Sequence, residues 1–106
     1  MATDWAADIK KYAPKADDDV VAKLLSTYRL VLSNRDSAYV AAADASEVAT
    51  VREKFLKGKL GLTSDDAALD AAVKDVAQVM KDDRTKSRAT FYYLLAEKFG
   101  KLDVFK

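Results

Sequence analysis

Residues 63–80 read Thr63-Ser64-Asp65-Asp66-Ala67-Ala68-Leu69-Asp70-Ala71-Ala72-Val73-Lys74-Asp75-Val76-Ala77-Gln78-Val79-Met80. Leu69, Ala72, Val73, Val76 and Met80 recur at successive i+3 and i+4 steps, which lines one face of an α-helix with apolar groups. Thr63 with Asp66 three positions on is an N-terminal signature for that helix. The stretch therefore predicts an amphipathic helix with one buried stripe, and it sets the expectation for the rest of the chain.

The same reading extends in both directions. Toward the N-terminus, Asp44 followed by Glu47 resembles a capping box, with Val48, Val51 and Phe55 as the apolar face of a helix ending at Gly58. Asp17, Asp18 and Asp19 suit the positive end of a helix dipole and predict a helix running to about Ser33, with Val21, Leu24, Leu25, Tyr28, Val31 and Leu32 buried. Ser37 to Ala43 is expected to form a short helical stretch. A first helix is expected from about Asp4 to Tyr12, capped by Thr3 and closed by Pro14. Toward the C-terminus, Lys81 to Lys86 turns into a last helix with Ala89, Tyr92, Leu95 and Phe99 on one face, widened by Phe91 and Leu94, and stopped by Gly100. By helical phase, Tyr93 and Tyr39 are the exposed aromatics.

The single proline and the three glycines lie between these patterns, and no strand signal competes with them. The expected fold is all-α: a compact bundle of five or six short helices in a single domain, residues 1–106. Glu53-Lys54-Phe55 with Gly58-Lys59-Leu60, set beside Glu97-Lys98-Phe99 with Gly100-Lys101-Leu102, also suggests two related helical hairpins, each preceded by an arginine-containing turn at Asn34-Arg35 and Asp83-Arg84.

Composition limits function. The chain has no histidine and no cysteine, which removes the commonest general base, thiol nucleophiles, zinc-thiolate sites and disulfide scaffolds. Catalysis would have to run on Asp, Glu, Lys, Ser or Tyr, and no paired-carboxylate or nucleophile-base arrangement can be read, so the expectation is not an enzyme. No cofactor and no metal is expected: the clusters Asp17-Asp18-Asp19, Asp65-Asp66 and Asp82-Asp83 lack calcium-loop spacing and read as helix caps. Lys57-Gly58-Lys59-Leu60-Gly61 lacks the order of a phosphate-binding loop. With 18 basic against 17 acidic residues the formal net charge is +1, so there is no global field for a polyanion. No run approaches the roughly 18 apolar residues of a membrane span, and the N-terminus has no basic segment leading into an apolar one. A cytoplasmic protein that does not enter the membrane is expected.

What remains is a local basic surface. Arg52, Lys54, Lys57 and Lys59 form one group and Lys81, Arg84, Lys86 and Arg88 another, and a bundle that brought both to one end would grip an anion or an acidic partner. The expected function is a non-enzymatic protein-interaction or self-association module, with a homo-oligomer or a protein partner. The alternative is anion or nucleic-acid binding through Arg52, Lys54, Lys57, Lys59, Arg84, Lys86 and Arg88.

Residues 51–56 (VREKFL), 59–62 (KLGL), 67–72 (AALDAA) and especially 86–102 (KSRATFYYLLAEKFGKL) give the chain a further likeness. It resembles a family of small uncharacterised bacterial proteins, a domain family of unknown function. The resemblance implies a bacterial cytosolic protein and a helical fold, and it brings no activity or catalytic residues with it.

Overall fold

Helix α5, Asp66–Val79, lies where the periodicity places it, and Leu69, Ala72, Val73, Val76 and Met80 are all buried. The computed structural model describes residues 5–34, 37–41, 43–83 and 86–105. Six α-helices are found among them: α1 Trp5–Tyr12, α2 Asp18–Thr27, α3 Arg29–Ser33, α4 Ala45–Thr50, α5, and α6 Arg88–Lys98. A π-helical segment, Val51–Lys59, continues α4, and a 3-10 turn, Leu102–Phe105, follows α6. The radius of gyration is 12.7 Å, against roughly 13 Å expected for a compact domain of this length.

Helix α6 is the centre of the molecule. It packs against α1, α2, α5 and the 3-10 turn, and its first six residues, Arg88 through Tyr93, are buried together with Leu95 and Ala96. Over those first turns the helix is enclosed and needs no polar face, and this corrects the expectation for Tyr93, which is 2% exposed. Ser87 caps the helix by accepting from the Thr90 N–H. At the far end Gly100, at φ +66°, donates to the Glu97 carbonyl while Lys101 donates to Ala96, the paired bonds of a glycine-terminated helix.

Three local expectations are overturned. The helix expected from Asp17 to Ser33 breaks at Tyr28, where Thr27 Oγ1 bonds back to the Lys23 carbonyl, a contact that loosens a helix end. The break turns the Tyr28 ring into the core, edge-on to Tyr92 and Phe55. The stretch expected as helical from Ser37 to Ala43 instead contains β1, Tyr39–Val40, paired antiparallel with β2, Lys86–Ser87; Ala38 and Val40 are buried with half-buried Tyr39 between them, an alternation of period 2 rather than 3.6. Ala42, within that stretch, lies outside the described residues. Finally, the helix expected to stop at Gly58 runs to Lys59 in π register, where Leu60 N–H bonds to the Phe55 carbonyl, and the left-handed residue is Gly61 at φ +67°. The two glycines matched in the suggested repeat thus differ: Gly58 sits inside a helix and Gly100 ends one. The arginines of the two matched turns, Arg35 and Arg84, lie outside the described residues, as do Thr3 and Asp4 at the expected first cap.

Candidate functional site

Three segments distant in sequence meet at an open cleft of about 300 Å³, lined by Tyr28, Val31, Ser37, Thr50, Lys54, Phe55, Arg88 and Tyr92. Its walls are aromatic because the core surfaces there. Phe55 and Tyr92 stack at 3.9 Å with 10° between their planes, and Tyr28 meets Tyr92 edge-on at 5.0 Å. Val31 from α3 and Thr50 from the last turn of α4 close the sides.

Arg88 forms one end of the cleft, and its charge is spent inside the protein. Nε donates to the Ser37 carbonyl at 2.6 Å, Nη1 to the Tyr92 hydroxyl at 2.7 Å, and Nη2 to a Glu47 carboxylate oxygen and, at 3.5 Å, to the Tyr39 carbonyl. The side chain is 9% exposed and that of Glu47 22%. Burial opposes the guanidinium charge; Tyr92 and Glu47 more than offset it and hold the Arg88 pKa above its ordinary value. Glu47, expected to complete a capping box, is therefore the partner of Arg88, and Asp44 caps α4 by itself through Ser46. Burial pushes the Tyr28 and Tyr92 hydroxyls above the usual phenol range, with Arg88 working in the other direction at both.

The remaining residues expected in one basic surface are divided. Arg52 holds Asp70 with Nη1 at 2.9 and 3.0 Å and Glu53 with Nε at 2.9 Å. Lys57 lies 3.0 Å from Glu53 and 2.6 Å from Asp66. Two cations thus face three carboxylates on the side where the π-helical segment meets α5. The Glu53 and then the Asp70 hydrogen bond raise the Arg52 pKa, and the Asp66 and then the Glu53 hydrogen bond raise that of Lys57. Lys59 lies 5.5 Å over the Phe105 ring. Arg84 lies outside the described residues. Of those among the described residues, only Lys54 and Arg88 share the aromatic cleft.

Lys86 faces a different, shallower hollow of about 450 Å³, lined also by Ala43, Lys74, Ala77, Gln78 and Lys81, with its ammonium bonded to the Asp83 carbonyl. Lys74 was not among the expected site residues. Its spacing from Gln78 and Lys81, four and seven positions, is the signal that places it there.

The acidic clusters have partners of their own. Asp17 caps α2, Asp18 pairs with Lys10, and Asp83 takes hydrogen bonds from Tyr12 and Lys11. Asp65, not Thr63, occupies the N-cap of α5, and it does so without a side-chain bond. Among the described residues no group of three or more carboxylates is arranged to hold a metal, no buried side-chain polar atom lacks a partner, and no helix is long and apolar enough to cross a membrane.

A family model described as a protein of unknown function (DUF2853) matches residues 4–103, and the chain belongs to that family. No curated protein matches it.

Proposed function

We propose that this member of the family is a non-enzymatic helical interaction module that seats an apolar anchor of a partner protein in the aromatic cleft. The observation that carries this reading is the cleft itself, bounded by α3, whose Leu30 is 78% exposed. Buried anchor side chains in pockets dominate protein association, and an exposed leucine on the bounding helix extends the contact beyond the cavity. The polar groups around the cleft support binding over catalysis, because Arg88 and Glu47 neutralise each other and, among the described lining residues, no hydroxyl is bonded to a carboxylate.

A partner of different sequence fits better than a second copy. Two copies meeting cleft to cleft about a two-fold axis would oppose identical patches and bring Lys54 toward Lys54. The absence of cysteine suits a reducing cytoplasm as the place of action. The test is a photo-crosslinking residue at position 30 of the full chain, expressed in cells. One dominant protein adduct is expected, lost when Thr50→Phe puts a ring into the cleft. An adduct pattern identical to that from a crosslinker at exposed Lys15, or one indifferent to Thr50→Phe in a folded variant, overturns the reading.

The hollow of Lys74, Lys81 and Lys86 favours a second reading, local anion binding, whose affinity would fall steeply with salt. Nucleic acid titrated at low salt checks it: no mobility shift, or a shift unchanged by Lys74→Glu with Lys81→Glu, removes it.

A further inference from the structure

We infer that the cleft recognises a carboxylate carried on the same small unit as the apolar anchor, as at the C-terminal residue of a partner chain with an aromatic or large aliphatic side chain. The inference rests on the cleft being the docking site. It starts from what the described lining offers a ligand, which is two cations and several hydroxyls but no carboxylate.

Lys54 is exposed on the rim and forms no ion pair with a described residue, whereas Arg52 and Lys57, on the same π-helical segment, are closed by Glu53, Asp66 and Asp70. Arg88 has five N–H donors. Its bonds to Ser37, Tyr92, Glu47 and Tyr39 occupy four, leaving one Nη1 hydrogen without a partner among the described residues. The Tyr28 hydroxyl donates to no described residue either, and it is not enclosed, since no buried polar atom is unsatisfied there. Glu47, which pairs with Arg88, is not among the lining residues.

Among the described residues lining the cleft, the uncompensated charge is thus the single positive charge of Lys54, which one carboxylate matches and a phosphate dianion exceeds. A cavity of about 300 Å³, at the small end of ligand sites, suits a ligand that carries charge and apolar group within one residue. A C-terminal residue carries both on one Cα.

The full chain is titrated, with aromatic and amide NMR as readout, using N-acetyl-phenylalanine, its C-terminal amide, and N-acetyl-alanine with a free carboxylate. The expected result is that N-acetyl-phenylalanine shifts Tyr28, Phe55 and Tyr92 signals and binds at least about tenfold more tightly than the amide, the size of one charge-assisted hydrogen bond. Lys54→Gln should bring the two ligands to within about threefold of each other by weakening only the acid. Equal binding of acid and amide overturns carboxylate recognition while leaving apolar docking intact. N-acetyl-alanine binding as tightly as N-acetyl-phenylalanine, or an acid affinity unchanged by Lys54→Gln, also overturns it. No cleft shift from any probe overturns both the inference and the docking reading.

Discussion

Replacing Arg88 by methionine tests how the cleft is held in shape. The substitution preserves much of the aliphatic volume and removes the guanidinium, so that the Ser37 and Tyr39 carbonyls and the Tyr92 hydroxyl lose a donor and Glu47 loses its cation. Breaking a buried ion pair by deleting one partner costs about 3–5 kcal/mol. Because the Glu47 side chain keeps 22% exposure, water reaches the orphaned carboxylate and the low end applies, about 3 kcal/mol. At about 4 °C per kcal/mol for a domain near this size, the melting temperature should fall by roughly 12 °C. Urea and thermal unfolding followed by circular dichroism measure both quantities. Arg88→Lys should recover only part of the loss, since an ammonium cannot reproduce the planar fork. Combining Arg88→Met with Glu47→Gln should cost less than the sum of the two single changes, by about 1–3 kcal/mol. A single-mutant loss below about 1 kcal/mol, or a strictly additive double mutant, would refute the account of Arg88 as the clasp joining α6, α4 and β1.

Gly100→Ala and Gly61→Ala should each destabilise by about 1 kcal/mol, because both glycines hold positive φ, where a β-carbon is strained. Gly58→Ala, at negative φ with the nearest neighbour of its new β-carbon at 3.4 Å, should stay within about 0.5 kcal/mol of the parent in chemical denaturation. Tyr12 first, and then Lys11, hold the Asp83 carboxyl below the usual carboxylate range. Its contribution is therefore complete above the unfolded value near about 3.9 and is lost as pH falls through the lower folded value. Thermal melts between about pH 4 and pH 2 should show a shallower loss for Asp83→Asn than for the parent. Leu30→Asp should leave the melting temperature nearly unchanged, as surface substitutions do within about 0.5 kcal/mol, while abolishing crosslinking to a partner from a neighbouring position on α3.

Long elements and their buried stripes were legible because periodicity needs length. Leu69 through Met80 and the α6 core residues declare themselves over three or more turns. Short features were not legible. Two-residue strands such as Tyr39–Val40 and Lys86–Ser87 are too brief to display an alternation, and the i→i+5 register of Val51–Lys59 has no residue signature. Arg88 beside Lys86 reads as surface charge until the fold brings Glu47, 41 positions away, against it. Glu47 itself had a plausible local task as the end of a capping box, and a long-range partner displaced that task. The cleft escaped for the same reason: Tyr28, Phe55 and Tyr92 each read as core stripe, and only their meeting at the surface makes a recess.

The enclosure of α6 has a consequence for how the protein is made. Synthesis runs from the N-terminus at about 5–20 residues per second, and α1, α2 and α5 all emerge before the helix that covers their apolar faces. The Asp8 carboxylate waits for Thr90, and Glu47 for Arg88. A nascent chain halted before Arg88 therefore carries several finished sequences for helices without the central helix they share, so folding should wait for α6 and be nearly all-or-none. Ribosome-bound chains stalled before position 88 should be open to protease, and chains extended past Phe105 and clear of the exit tunnel should resist it.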